Sequence, residues 1–428
     1  MRTAWIGFLA VVSLVAASMG YGAGAPATSA TGGEVATRAE VDVSEPWEWE
    51  AVASWETRRW DEDIADIDFD GRTGVAVSVD GQVFVTRDAG ATWELSFTTQ
   101  EYGPEADLKA CLAKDRVLIV GGYQGLLRST DQGVTWLGPR VYVTHGDSSR
   151  RGVPLQVAHS ADLANVYSLA ADPARPERMM ASARDMASMW GPGGGSMVLV
   201  TNNGGLTWED RLRGAGPDCP APAVLRALRF QSGGRSLGCP YDRDAGFVLL
   251  STDSGVLWAP VPVSASEDVQ AMCMESRGRE VWVGDIEGAI WHSEDAGATW
   301  ERQRRLRPPG CWGMRVHSIA FASRRLGVAV GHATGRTGTE GVIYRTTNGG
   351  ESWRLDLRTQ DFLPSCVTYC PDGERLFLAG GSARGLPAIR GARAPAGILP
   401  YLDLPPVGTP RSTPAPGRVP LPRDRPTH

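Results

Sequence analysis

The sequence predicts an all-β protein: a seven-bladed β-propeller of four-stranded antiparallel blades, closed by an N-terminal strand that completes the last blade. Three observations carry this prediction. An octad of the form [ST]-x-[DN]-x-G-x-[TSL]-W occurs six times, at Thr86 to Trp93, Ser129 to Trp136, Thr201 to Trp208, Ser251 to Trp258, Ser293 to Trp300 and Thr346 to Trp353. An apolar run stands before each copy, such as Val83-Phe84-Val85, Val198-Leu199-Val200 or Val342-Ile343-Tyr344, and reads as an incoming strand. The octad tryptophans recur at intervals near the roughly 40–50 residues of a four-stranded blade.

Each octad position has a task in a tight hairpin. The acid or amide at the third place (Asp88, Asp131, Asn203, Asp253, Asp295, Asn348) can accept backbone N–H groups two residues on, as in an Asx turn. Glycine at the fifth supplies positive φ without steric cost. Tryptophan at the eighth (Trp93, Trp136, Trp208, Trp258, Trp300, Trp353) begins the returning strand, where its large ring can wedge the hairpin against a neighbour. A calcium loop is the weaker reading, because the further acidic ligands and closing glutamate of an EF-type site are missing.

Taken in order, blade one reads as Ile64 to Phe69, Gly74 to Val77 and Gln82 to Val85. Blade six repeats it as Val316 to Phe321, Gly327 to Gly331 and Gly341 to Arg345, with Trp353 opening the fourth strand. Glycines at the ends of second strands, Gly121, Gly284 and Gly331, suit backbones that crowd toward a ring centre. The long interval between Trp136 and Trp208 is read as an inserted loop around residues 145–152, the blade resuming at Val166 to Ala170. A second loop, Met186 to Gly195, carries Trp190. After the sixth octad, Ser365 to Cys370 and Arg375 to Gly380 begin a blade without an octad. Trp47 to Val52 is expected to supply its outer strand and so cover an exposed sheet edge.

The two ends differ from this body. Arg2 followed by the apolar stretch Ala4 to Ala17 and small residues through Ala27 reads as an export signal, too short to span a bilayer. Residues 1–27 are therefore expected to be a signal peptide, 28–44 a linker, 45–393 the propeller and 394–428 a Pro-rich disordered tail. The expected location is periplasmic or extracellular. With 43 basic and 49 acidic residues the net charge is -6, which offers no nucleic-acid footprint. Seven cysteines cannot all pair. Cys111, Cys273, Cys366 and Cys370 lie in strand-like apolar runs and read as core residues. On one extended strand Cys366 and Cys370 would stand roughly 13 Å apart, beyond disulfide reach. Cys219 and Cys239 are the candidate pair.

The octad resembles the Asp-box, or BNR repeat, of sialidases, sortilin-type domains and the photosystem II assembly factors. The last of these resemblances rests on the run Ile319 to Trp353, echoed by Ile67 to Trp93, and covers roughly residues 45 to 390. It implies a structural role for the octad aspartates and tryptophans. It also implies an exported, non-catalytic protein-binding or assembly scaffold whose partner is a membrane-protein or acidic segment.

The competing class is a secreted sialidase-like glycan hydrolase. The Arg-Ile-Pro motif of sialidases is missing; Arg58-Arg59-Trp60 does not match it. The acidic cluster Asp61, Glu62, Asp63, Asp66 and Asp68 could offer a carboxylate pair for acid/base work, but a solvated ring-surface cluster is the simpler reading. The six histidines show no metal-ligand spacing, and His292 and His317 sit in strand-like runs as packed residues. No phosphate loop follows a strand. The sequence thus predicts no catalytic residue, no cofactor, no metal and a monomer. The candidate partner-binding residues are Arg302, Arg304, Arg305, Arg307 and Trp312, whose guanidinium groups could grip an acidic segment by bidentate hydrogen bonds.

Overall fold

The computed structural model describes residues 50–54, 64–99, 107–123, 125–143, 156–159, 163–185, 196–210, 213–214, 224–231, 234–240, 246–253, 255, 257–265, 269–336, 338–370, 375–382 and 387–393. The expected signal, linker and tail, the loops around 145–152 and 186–195, Arg58 to Asp63 and Cys219 lie outside them. The described chain is all-β and folds as a propeller ring of small antiparallel sheets.

Sheet 1 holds Ile64–Asp70, Thr73–Ser78, Gln82–Thr86 and Glu94–Thr98 in sequence order. Sheets 5 (Ala271–Arg277 to Glu301–Arg305) and 6 (Cys311–Phe321 to Arg354–Thr359) repeat this plan, and sheet 4 runs from Leu225–Phe230 to Leu257–Pro262. The last sheet takes Phe362–Tyr369, Arg375–Ser382 and Pro387–Arg393. Its fourth strand is Glu50–Ser54, antiparallel to Pro387–Arg393 with Glu50 opposite Gly391.

Seven four-stranded blades are not found. Six sheets contain an antiparallel four-stranded blade, whereas sheet 2 has only Leu108–Lys114, Val117–Gly122 and Gly125–Ser129. The reason lies after the second octad. Leu137 makes one bridge to Arg128, and the Gly138-Pro139 step, which lacks a donor, breaks the strand there. The chain then crosses to sheet 3, where Arg140–Val143 runs parallel to Thr207–Asp210 and is itself paired by Gln156–His159, making six strands in that sheet. The long interval therefore holds two further paired strands, Arg140–Val143 and Gln156–His159. Arg213–Gly214 repeats the move on a smaller scale beside Leu257–Pro262.

The octads form near-identical turns. Asp88 Oδ1 accepts from Thr86 Oγ1 at 2.8 Å and Thr92 N at 2.9 Å, while Oδ2 accepts from Thr92 Oγ1 at 2.6 Å. Asp131 and Asp295 repeat this set, and Asn203 and Asn348 replace the last bond by an Nδ2 donation to Thr207 or Ser352. The accepted N–H lies four residues on, at the seventh place, rather than two as the Asx reading expects. Positive φ occurs at the fifth-place glycine and also at the fourth place, where Ala89, Gln132 and Ala296 adopt it at about 60°.

The octads also lock neighbouring sheets together. Gly133 would place a Cβ 2.8 Å from Val85 of sheet 1, Gly205 one 2.5 Å from Ile119 of sheet 2, and Gly297 one 2.6 Å from Leu237 of sheet 4. Trp208 is fully buried among Ala110, Leu112 and Ile119 of sheet 2 and Met179 and Leu199 of its own sheet. Trp258 is likewise buried against Met180 and Val200. Between the last sheet and the first, Phe377 stacks on Phe69, which meets Trp93 edge to face; Trp282, Phe321 and Trp353 repeat that sandwich between sheets 5 and 6. Gly121, Gly284 and Gly331 do mark the crowding expected of them: a Cβ at Gly121 or Gly284 would strike Val166 or Val316 of the next sheet's innermost strand, and one at Gly331 the Arg315 carbonyl of its own sheet's innermost strand.

Cys111, Cys239, Cys273, Cys311, Cys366 and Cys370 are all buried free thiols. The core reading of four of them therefore stands. The proposed partnership of Cys239 with Cys219 is corrected, because Cys239 faces the apolar cluster of Ala227, Leu237 and Val248 as a free thiol.

Candidate functional site

Each sheet's first strand carries a β-bulge at the same place. The register skips between Ile64 and Asp66, Leu108 and Ala110, Val166 and Ser168, Leu225 and Ala227, Ala271 and Cys273, Val316 and Ser318, and Pro364 and Cys366. A bulge leaves one residue unpaired and re-aims its side chain. Here the extra residues are Ala65, Lys109, Tyr167, Arg226, Met272, His317 and Ser365, every one half-buried. They form a collar on the innermost strands: Lys109 Nζ lies 5.6 Å from the Tyr167 ring centre, and Arg226 Nη1 lies 2.8 Å from Met272 Sδ.

The bulges also explain two half-buried acids. Asp66 Oδ2 accepts from Cys111 N and Asp68 Oδ2 from Ala113 N, both at 2.9 Å, so two carboxylates of sheet 1 serve the innermost strand of sheet 2. Ser168 does the same for Leu228 N at 3.1 Å, and Ser318 for Val367 N at 3.2 Å. Burial lifts the Asp66 carboxyl above its usual range. It pushes Asp68 up to about 7, the nearby Asp66 charge adding to the effect against the Ala113 bond. Arg229 stands near both, and reaches Glu275 at 3.6 Å; Arg277 lies 3.8 Å from the other oxygen of Glu275.

On sheet 6 the His317 and His332 rings lie 4.2 Å apart, and neither Nε2 has a hydrogen-bond partner. Burial, helped by His332 and the charges of Arg315 and Arg226, drives His317 down to about 3; burial also lowers His332. Both rings are thus neutral at physiological pH.

The predicted arginine run splits. Arg302, Arg304 and Arg305 lie exposed on Glu301–Arg305, the outer edge strand of sheet 5, with Arg302 6.0 Å from the Trp291 ring centre. Leu306 is buried, and Arg307 is exposed on the connection to sheet 6, where its Nε donates to the Cys311 carbonyl at 3.2 Å. Arg358, which sequence reasoning missed, donates to the Pro309 carbonyl at 2.8 Å and to Glu340 Oε1 at 2.5 Å. Glu340 also accepts from Cys311 Sγ at 3.0 Å. Burial opposes its ionisation, yet these bonds hold the Glu340 carboxyl below its ordinary range. Two arginines therefore pin the loop that presents Trp312, which is 66% exposed. Arg315 follows on the same strand, also exposed, and connects this face to His317 and the collar. No spacing rule links Arg358 or Arg315 to Arg307; only the strand register brings them together.

No family model matches the chain. A xyloglucanase of Paenibacillus sp is 27% identical over 192 residues, 39% of this chain, which spans only 18% of that relative's length. Among solved structures, YCF48 bound to a D1 peptide aligns with a TM-score of 0.54 at 17% identity, covering 82% of this chain and 97% of the other. YCF48 from Cyanidioschyzon merolae gives 0.54 at 18% identity, with 81% and 98% covered. The GH74 xyloglucanase from Xanthomonas campestris gives 0.52 at 15% identity, with 80% and 53% covered. What these likenesses establish is the fold: the chain is a β-propeller, similar in architecture both to peptide-bound YCF48 and to a xyloglucanase.

Proposed function

We infer that the chain is an exported, non-catalytic Asp-box propeller, closed by its N-terminal strand, that holds an acidic segment of a protein partner. The observation that carries this reading is Trp312, exposed at the start of the strand Cys311–Phe321 beside a connection fixed by Arg307 and Arg358, with Arg305 before it and Arg315 after it in the chain. Tryptophan and arginine are the residues that dominate binding energy at protein interfaces, and guanidinium groups grip carboxylates in bidentate geometry. The YCF48 structure with a D1 peptide is a precedent for a propeller of this shape receiving a protein segment. The edge arginines Arg302, Arg304 and Arg305 also discourage strand addition from another chain, which fits a monomer.

The test is binding of extended Glu/Asp-rich peptides, followed by fluorescence anisotropy across a salt series. Affinity should fall at least tenfold in Trp312→Ala and in the Arg304→Ser/Arg305→Ser double variant, and should weaken as salt rises, because exposed charges are screened over about 8–10 Å. Affinity unchanged in both variants, or insensitive to half-molar salt, sinks the reading.

A second reading, glycan hydrolysis, draws on the Asp66 and Asp68 carboxyls near Arg229 and on the partial likeness to xyloglucanases. Against it, each carboxylate is engaged by a backbone N–H of the next sheet. Release of reducing ends from xyloglucan by the native chain, abolished in Asp68→Asn, would favour this second reading.

A further inference from the structure

We propose that Glu280, His292 and Glu294 form a binding site for a divalent transition-metal ion of the zinc type, on the seam between sheets 5 and 6. One donor atom from each of the three side chains lies within 4.8 Å of the other two. Glu280 opens the second strand of sheet 5, His292 lies on the third, and Glu294 occupies the variable second place of the fifth octad.

The register explains how they meet. Trp282 pairs with His292 and Val281 with Ser293, so Glu280 stands opposite Glu294 and on the same face as His292. On the other flank His292 pairs with Glu301. Carboxylates directly opposed across two strands repel one another. A dication between Glu280 and Glu294 offsets that repulsion.

His292 is held for such a role. It is 6% exposed and stacks on Trp282 with ring centres 5.1 Å apart. Trp282 is itself fixed by donating Nε1 to the Gly349 carbonyl of the sixth octad at 2.9 Å. The imidazole Nδ1 is buried without a partner, and Nε2 points at Glu280 Oε2, 2.6 Å away. Nε2 is therefore the ring's polar outlet, and it opens onto carboxylates. Imidazole with carboxylates suits zinc and its neighbours better than calcium or magnesium. Zinc ligands about 2.0–2.2 Å from the ion stand roughly 3.4 Å apart, so an entering ion would widen the 2.6 Å contact of His292 with Glu280 and draw in the exposed Glu294. Three protein ligands leave a fourth position open to water or an incoming group on the solvent side.

The experiment uses the full chain stripped of metal by chelation and titrated with Zn²⁺, then with Co²⁺ as a spectroscopic stand-in. The native chain should take up one equivalent, with a raised melting temperature and cobalt ligand-field bands free of thiolate charge transfer. Glu294→Gln, an exposed change, should weaken uptake at least tenfold, and Glu280→Gln/Glu294→Gln should abolish it. Circular dichroism and metal-free melting establish that both variants fold. The proposal is overturned if the native chain binds no Zn²⁺ at tenfold molar excess, if the double variant binds as well as native, or if cobalt spectra show thiolate ligation.

Discussion

Replacing Trp208 by alanine isolates the contribution of an octad tryptophan as a wedge between sheets. Its ring is fully buried, with Ala110, Leu112 and Ile119 of sheet 2 on one side and Met179 and Leu199 of sheet 3 on the other, and Nε1 donates to the Gly205 carbonyl at 3.1 Å. A tryptophan buries about 150–250 Å², which at roughly 25 cal/mol per Å² corresponds to about 4–6 kcal/mol. Aromatic-to-alanine changes in cores cost about 3–5 kcal/mol, and the deep position between two sheets places Trp208→Ala at the upper end. Trp300→Ala, at a half-buried ring, should cost about 2–3 kcal/mol by the same scale. Urea unfolding followed by tryptophan fluorescence and far-ultraviolet circular dichroism would measure both, with coincidence of the two probes testing two-state behaviour. A loss below about 1 kcal/mol for Trp208→Ala would mean that the sheets hold together without their wedges, and would refute the reasoning.

Asp68→Asn should alter the pH dependence of stability. A carboxyl raised from 3.8 to about 7 on folding contributes stability that is fully present below pH 3.8 and lost as pH rises through 7. The shift corresponds to a ceiling of about 4 kcal/mol, which partial exposure reduces to about 1–3. The amide can still accept from Ala113 N, so melting temperatures should show the variant ahead of native at pH 8 and level with it near pH 4. His317 works in the opposite sense: its depressed value gives stability present above 6.5 and lost as pH falls toward 3, so His317→Gln should flatten the acid limb of the same melting profile. Gly331→Ala should cost about 3 kcal/mol or prevent folding, because its Cβ would lie 1.8 Å from the Arg315 carbonyl oxygen and backbone cannot yield; normal expression and melting would contradict this. Asp295→Ala should cost about 1–3 kcal/mol through the bonds from Ser293, Ala298 and Thr299. Asp295→Asn should cost much less, since Asn203 and Asn348 fill the same place; equal losses in denaturant melts would remove the turn from the account.

What was legible in the sequence is what local chemistry dictates. The octad turns follow from side chains within eight residues of one another, so Asp88, Gly90 and Trp93 announce their roles. The N-terminal strand was legible too, expected from the alternation of Trp47 to Val52 and found at Glu50–Ser54 beside the blade without an octad. The missing strand of sheet 2 was not. Nothing local distinguishes a chain that turns back after Trp136 from one that crosses over, although the Gly138-Pro139 step was a visible warning. The collar was hidden for a different reason. A bulge is a property of pairing, so Ala65, Lys109 and His317 share a position in the fold without sharing any chemistry. Glu280, His292 and Glu294 show the same effect, since ligands that meet across two strands carry no spacing signature.

The transfer of Arg140–Val143 to sheet 3 bears on how this protein can be rearranged by recombination. Where every repeat keeps its own outer strand, a unit can be duplicated, deleted or exchanged by cutting just after that strand. Here a cut between His159 and Leu163 would leave the hairpin of Arg140–Val143 and Gln156–His159 with sheet 2 although it pairs with sheet 3, so the junction of sheets 2 and 3 does not obey that rule. Tolerated crossover points should therefore cluster between sheets 4 and 7, whose connections exchange no strand, and a library of chimaeras would read that boundary directly.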